Sequence, residues 1–246
     1  MPITGKQVAA PFVRAFLRRY ARGEAQALAP HVTGKSLLDL GAGEGWVAQA
    51  LGALVPAWSC GVDVGPFLLA RWPYVIYDGA RLPFRDGTFD TTLLSLVLHH
   101  CEAPEVVLEE AIRVTRTRLL VVESIHRSAR ERFWLDLLDR RLNRHRHGGT
   151  MNVPGAFRRP EEWRALFESH DLRLIALEWL GGRLERLVHH PLLFVMDKAG
   201  SRGHRPTREE RERTGPSRAR AASATVTASA RRISLRVSGR SHTEKG

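Results

Sequence analysis

Apolar residues recur at helical spacing from Val8 to Leu28 (Val13, Phe16, Leu17, Tyr20), with Arg18 and Arg19 beside them, which predicts an N-terminal helix. Ser36–Leu40 is a short apolar run ending in a glycine-rich turn, the pattern of a buried strand. Glu44–Val55 reads as a helix stopped by Pro56. Ala57–Val64, Tyr74–Tyr77, Phe89–Leu98 and Arg118–Glu123 read as further strands by their β-branched and apolar content. Between the last two, Glu102–Thr115 is amphipathic at helical period, with Val106, Leu108, Ile112 and Val114 among its apolar positions. Arg159-Pro160-Glu161-Glu162-Trp163 opens another helix, because proline is tolerated in the first turn and acids favour the positive helix end. Leu172–Leu180 and Leu192–Met196 then read as closing strands. Strands alternating with helices predict an α/β fold, a doubly wound and mostly parallel sheet covered on both faces.

Composition sharpens this picture. The 246 residues are 43% hydrophobic, enough for one domain with a real core and too apolar for wholesale disorder. No apolar stretch approaches the ~20 residues of a membrane span, and the N-terminus lacks a secretory pattern. With Cys60 and Cys101 alone, no disulfide framework is expected, so a cytoplasmic setting is, and no membrane partner.

The net charge of +12 suggests nucleic acid until it is placed along the chain. Residues 201–246 hold 12 basic and 4 acidic residues, whereas 1–125 hold 12 of each. The segment 126–159 has 9 arginines and 3 acids. A folded body over 1–200 and a disordered basic tail over 201–246 are therefore expected, because the tail has no aromatic residue and too little apolar surface to offset chain entropy.

The strongest chemical signal is Leu37-Leu38-Asp39-Leu40-Gly41-Ala42-Gly43-Glu44-Gly45. Glycine permits positive φ and close approach of a ligand to the backbone, and a helix start offers free N–H donors. A dinucleotide turn of the form G-x-G-x-x-G would need glycine where Trp46 stands. The spacing G-x-G-x-G, with Asp39 two residues before it, instead resembles the first motif of the class I methyltransferases that use S-adenosylmethionine. Gly61-Val62-Asp63-Val64 is similar to that family's second strand, whose terminal acid takes the ribose hydroxyls. Asp78-Gly79-Ala80-Arg81-Leu82-Pro83-Phe84 resembles the segment that holds the adenine. Asp86-Gly87-Thr88-Phe89-Asp90 leading to Leu98-His99-His100 resembles the small-molecule branch.

The resemblance implies a Rossmann-like sheet of seven strands with an antiparallel last strand, and S-adenosyl-L-methionine as cofactor. It implies cofactor contacts at Asp39, Gly41, Ala42, Gly43, Gly45, Asp63, Val64, Asp78, Gly79 and Ala80. Physical chemistry agrees: one carboxylate can accept from both ribose hydroxyls, and Asp63 stands about 20 residues past the glycine turn, the offset of adjacent nucleoside-binding strands. Gly65-Pro66, placed where a second helix should begin, leaves Phe67–Arg71 room for little more than one turn.

Methyl transfer from a sulfonium is an in-line displacement, and a base helps only an acceptor that must lose a proton. His100, ahead of His99, is the candidate base at the end of the fourth strand, and a pocket-wall histidine is the alternative. His99-His100-Cys101-Glu102 is not expected to bind metal, because no second ligand pair accompanies it. A nucleophilic Cys101 is likewise unsupported.

The segment 126–159 is expected to be a basic lid. Its Phe133, Trp134, Leu137 and Leu138 fall on a helical period and are predicted to pack. Arg140, Arg141, Arg144, His145, Arg146 and His147 either clamp a carboxylate or phosphate of the substrate or form a solvated face. Gly148-Gly149 suits a hinge.

Methyl transfer to a small molecule is the leading expectation, and these arginines point to an anionic one. An RNA methyltransferase is the alternative, weakened by the fourth strand's end, Leu96-Val97-Leu98-His99, which lacks the Asn-Pro-Pro-Tyr signature of base methylation. A non-catalytic interaction module is the third reading, and Asp39, the three glycines and Asp63 argue against it.

Overall fold

The computed structural model describes residues 11–146, 155–180 and 190–199, the side chains of 11–14 and 142–146 excepted. The expected tail, the Gly148-Gly149 hinge and His147 lie outside these residues.

In chain order the elements are α1 (Pro11–Leu28), β1 (Ser36–Leu40), α2 (Trp46–Gly52), β2 (Trp58–Asp63), β3 (Tyr74–Ile76), β4 (Phe89–Ser95), α3 (Pro104–Val114), β5 (Thr115–Ser124), α4 (Ala129–Arg146), α5 (Pro160–Ser169), β6 (Leu172–Trp179) and β7 (Pro191–Lys198). The strands form one seven-stranded sheet in the order β3-β2-β1-β4-β5-β7-β6. β1, β2, β3, β4 and β5 pair in parallel, and β7 runs antiparallel to both β5 and β6. This is the expected doubly wound sheet with its reversed last strand.

Strand periodicity explains why the strands read as unbroken apolar runs. Leu38, Leu94, Val121 and Phe194 join one core with Leu108, Trp163 and Phe167. Their chain neighbours Leu37, Leu93, Leu120 and Leu193 join a second core with Ala25, Leu28 and Leu51. Successive side chains thus enter opposite layers, and each fully buried leucine contributes about 1.5–3 kcal/mol. α3 and α5 cover the first face; α1 and α2 cover the second.

Two boundaries move for identifiable reasons. α2 starts at Trp46, not Glu44, because Gly41, Gly43 and Gly45 all adopt positive φ (76°, 52° and 79°). β4 stops at Ser95, where Leu96 turns left-handed (φ 58°) and the chain enters a 3-10 turn, Leu98–His100. No helix forms between β2 and β3. Instead the Leu69 and Ala70 N–H groups donate to the Glu44 carbonyl at 3.1 and 2.9 Å, and Trp72 lies where a Cβ on Gly52 would stand.

Candidate functional site

β1 lies between β2 and β4, so the chain departs to opposite sides of the sheet at its carboxyl end. Crevices at such a reversal are where open α/β sheets take ligands. The glycine turn occupies this place. Gly41 and Ala42 N–H groups donate to the Val62 carbonyl at 2.8 and 3.1 Å, which locks the turn onto β2. A Cβ on Gly41 would stand 2.4 Å from Val97, and one on Gly45 2.6 Å from Leu68, so both glycines serve packing. Gly43 differs: nothing lies within 4 Å of its missing Cβ, and a ligand can approach the backbone there.

Asp39 is the penultimate residue of β1 at 2% exposure, and Asp63 ends β2 at 7%. Asp63 Oδ2 accepts the Gly43 N–H at 2.8 Å and Oδ1 accepts the Val64 N–H at 2.7 Å. Burial pushes the Asp39 carboxyl up to about 8, with Glu24 and Asp63 adding repulsion and the Ala48 N–H opposing it. Burial also raises Asp63, against its two backbone donors. Glu24 reaches in from α1, is raised by burial to about 7, and accepts the Ser95 hydroxyl. The groups acting on these three carboxylates are one another, a hydroxyl and backbone N–H donors. The crevice is therefore an acceptor-rich concavity that suits a cationic, hydroxyl-bearing ligand.

At the next strand end the arrangement is more open. Asp78 is exposed, and its Oδ1 accepts the Ala80 and Arg81 N–H groups at 2.9 and 3.0 Å, which hold its pKa below the ordinary range. Gly79 has φ 83°, and its missing Cβ would touch Val64, itself 56% exposed. Val64 and the Gly79 backbone thus offer an apolar ledge beside Asp63. Asp78 acts within its own turn, so it differs from the two buried acids.

The histidine pair stands across β1 from Asp63, in the turn after β4. His99 is 2% exposed, stacks on Phe157 at 4.6 Å between ring centroids, and places Nδ1 2.5 Å from Glu123 Oε2. Burial lowers its pKa, but the Glu123 carboxylate, helped by Asp139, more than reverses this and leaves it raised. His100 is more accessible, with Nδ1 3.7 Å from Asp139 Oδ2 on α4. Burial, with the Glu123 and Asp63 charges, pushes the Cys101 thiol up to about 12, which disfavours the thiolate.

Glu24, Glu123 and Asp139 escaped the sequence reading. Their partners lie 71, 24 and 39 residues away, beyond any local pattern. The lid expectation also changes. Among the described side chains of α4 Leu135 is buried and Leu138 half-buried, whereas Phe133, Trp134 and Leu137 are 62%, 50% and 46% exposed. They do not pack as predicted, because the helix turns Leu135 and Asp139 inward instead. Arg140 pairs with Asp136 at 3.1 Å, Arg141 is exposed, and the side chains of Arg144, His145 and Arg146 lie outside the described residues.

Residues 38–120 match the protein family described as methyltransferase domain. The demethylmenaquinone methyltransferase of Streptomyces griseus is 37% identical over 90 residues, covering 33% of this chain and 38% of that protein. That of Mycolicibacterium gilvum is 38% identical over 115 residues, covering 44% and 48%. The chain thus spans less than half the length of these curated relatives. Among solved structures, a SAM-dependent methyltransferase from Archaeoglobus fulgidus superposes with TM-score 0.57 at 14% identity, covering 76% of this chain and 98% of that one. One from Aquifex aeolicus gives 0.54 at 15% identity, covering 78% and 95%. These structural likenesses carry the fold.

Proposed function

We propose that this chain, which belongs to the class I methyltransferases that use S-adenosylmethionine, transfers a methyl group to a small-molecule acceptor. The observation that carries the reading is the pair of buried carboxylates, Asp39 and Asp63, flanking a glycine turn open at Gly43. The residues fit the cofactor. Asp63 keeps lone pairs for ribose hydroxyls beyond the two it spends on Gly43 and Val64. Asp39, with Glu24 behind it, is a buried acid suited to a methionine ammonium. Gly41, Ala42, Gly43 and Gly45 shape the turn, and Val64, Gly79 and Ala80 with Asp78 form the adenine ledge.

Bound S-adenosylmethionine supplies an activated methyl group together with its own leaving group. The chain's part is to align, to exclude water and to handle a proton. His100 is the base that takes a proton from the acceptor, with the Asp139 carboxylate stabilising the imidazolium. His99, held through Nδ1 by Glu123, fixes the turn that presents His100 and walls the pocket with Phe157. The names of the curated relatives support a small ring-bearing acceptor of the quinone class. Arg140 suits an anionic group on it.

The test is calorimetry with S-adenosylhomocysteine. Wild type binds, and Asp63→Ala loses binding while retaining its fold by circular dichroism. Undiminished binding by that variant, or none by wild type, overturns the reading. A screen of metabolite extracts with labelled cofactor then identifies the acceptor.

A further inference from the structure

α4 carries a face that neither the core nor the candidate site uses. Phe133, Trp134 and Leu137 are exposed there, three large apolar side chains on one stretch of helix. At about 100° per residue, they share one arc of roughly 100°, and Arg130 and Arg141 fall inside the same arc. Both arginines are exposed and stand at the two ends of the apolar stripe. The acids of the helix, Glu131, Asp136 and Asp139, all fall outside this arc. Leu135 and Asp139 share the opposite side, and Asp139 meets His100. On one flank a cavity of about 280 Å³ is lined by Ala129, Arg132, Phe133, Asp136, Arg140 and Gly155.

We infer that the outer face of α4 docks on an anionic phospholipid bilayer, with Phe133, Trp134 and Leu137 entering the interface and Arg130 and Arg141 meeting lipid phosphates. Among the described residues no helix is long and apolar enough to cross a membrane. A helix lying in the interface needs only an apolar stripe and basic partners, and this stripe has both. The absence of acids in the arc gives charge complementarity to anionic lipid. It also opposes a second copy of the chain, since two such faces would set arginines against arginines. Nucleic acid is the poorer fit. The Phe133 and Trp134 rings meet edge to face at 75° and 5.6 Å, which spoils a row of parallel faces for bases, and Leu137 adds an aliphatic contact. Docking would hold α4, whose inner side meets His100 through Asp139, next to a lipid-dissolved acceptor, a consequence that rests on the methyltransferase reading, whereas docking itself does not.

The experiment is flotation of the full chain with phosphatidylcholine vesicles, with and without 30 mol% phosphatidylglycerol. The anionic vesicles carry wild type to the top, and part of that binding survives 0.5 M NaCl because apolar anchoring is not screened. The triple variant Phe133→Ser, Trp134→Ser, Leu137→Ser loses at least roughly tenfold in partitioning and all salt-resistant binding. Its affinity for S-adenosylhomocysteine and its Tm stay at wild-type values, so a failure of the cofactor reading is recorded separately. The inference is overturned if wild type does not float with anionic vesicles, or if the triple variant floats like wild type. It is also overturned if the substitutions abolish binding of single-stranded RNA and leave flotation intact.

Discussion

Glu123 Oε2 lies 2.5 Å from His99 Nδ1, and its other oxygen accepts the Leu98 N–H at 2.7 Å. One fully buried carboxylate thus closes the turn after β4 and orients the first of the two histidines. Glu123→Gln keeps the shape and removes the charge. Breaking such a buried pair costs about 3–5 kcal/mol. The pH dependence has a definite sign. His99 titrates above its ordinary value, so the pair stabilises fully below the unfolded imidazole pKa of about 6.5. That stability is lost as pH rises through the raised value. The difference in Tm between wild type and Glu123→Gln should therefore be largest near pH 6 and shrink on the alkaline side. A difference that grows with pH would contradict the assignment.

Asp39 and Glu24 give a second dependence. Their carboxyls, raised to about 8 and about 7, bind protons more tightly in the folded chain than in the unfolded one. Stability from this source is full below their unfolded values and declines as pH rises through 7 to 8. A cationic ligand returns both toward the ionised state and releases protons. Calorimetry of S-adenosylhomocysteine at pH 7 in buffers of different ionisation enthalpy should show net proton release, and Asp39→Asn should reduce it. Buffer-independent enthalpies would rule it out.

The glycines of the turn separate folding from binding. Gly41→Ala places a Cβ 2.4 Å from Val97 at φ 76° and should lower stability by about 1–3 kcal/mol in urea unfolding. Gly43→Ala places its Cβ in open space. It should cost about 1–2 kcal/mol for its left-handed backbone, yet reduce S-adenosylhomocysteine affinity by tenfold or more. Equal effects of the two changes on binding would refute this division.

Arg113 ties the segment after β3 to α3. Its guanidinium donates to Glu110, to Asp86, and to the Leu82 and Phe84 carbonyls. Arg113→Met should leave these carbonyls unpaired and destabilise by about 1–3 kcal/mol. Amide hydrogen exchange across residues 82–88 should accelerate more than across β1 or β5.

Much of this was legible locally. A strand running into three alternate glycines, and acids at the ends of successive strands, are patterns within a few residues. The sheet and the Asp39–Gly43–Asp63 cluster follow from them. What stayed hidden depends on long-range contact. Glu123 looks like the polar end of an apolar strand until His99, 24 residues earlier, folds against it. Glu24 looks like an ordinary helix acid until Ser95 meets it. Phe133, Trp134, Leu137 and Leu138 lie on a helical period, but a period does not say which side of a helix the core will take. Leu135, buried where they are not, marks that side.

β7, the last strand among the described residues, lies between β5 and β6. Until residues 191–198 leave the ribosome, β5 has no neighbour on that side, and its Leu119–Val122 run stands open as a template for pairing. A nascent chain paused before this point, or a truncated message, would present a bare apolar strand edge to other chains. Synthesis of this protein thus carries an aggregation hazard that lasts until β7 emerges, and chaperone demand should peak just before that strand is inserted.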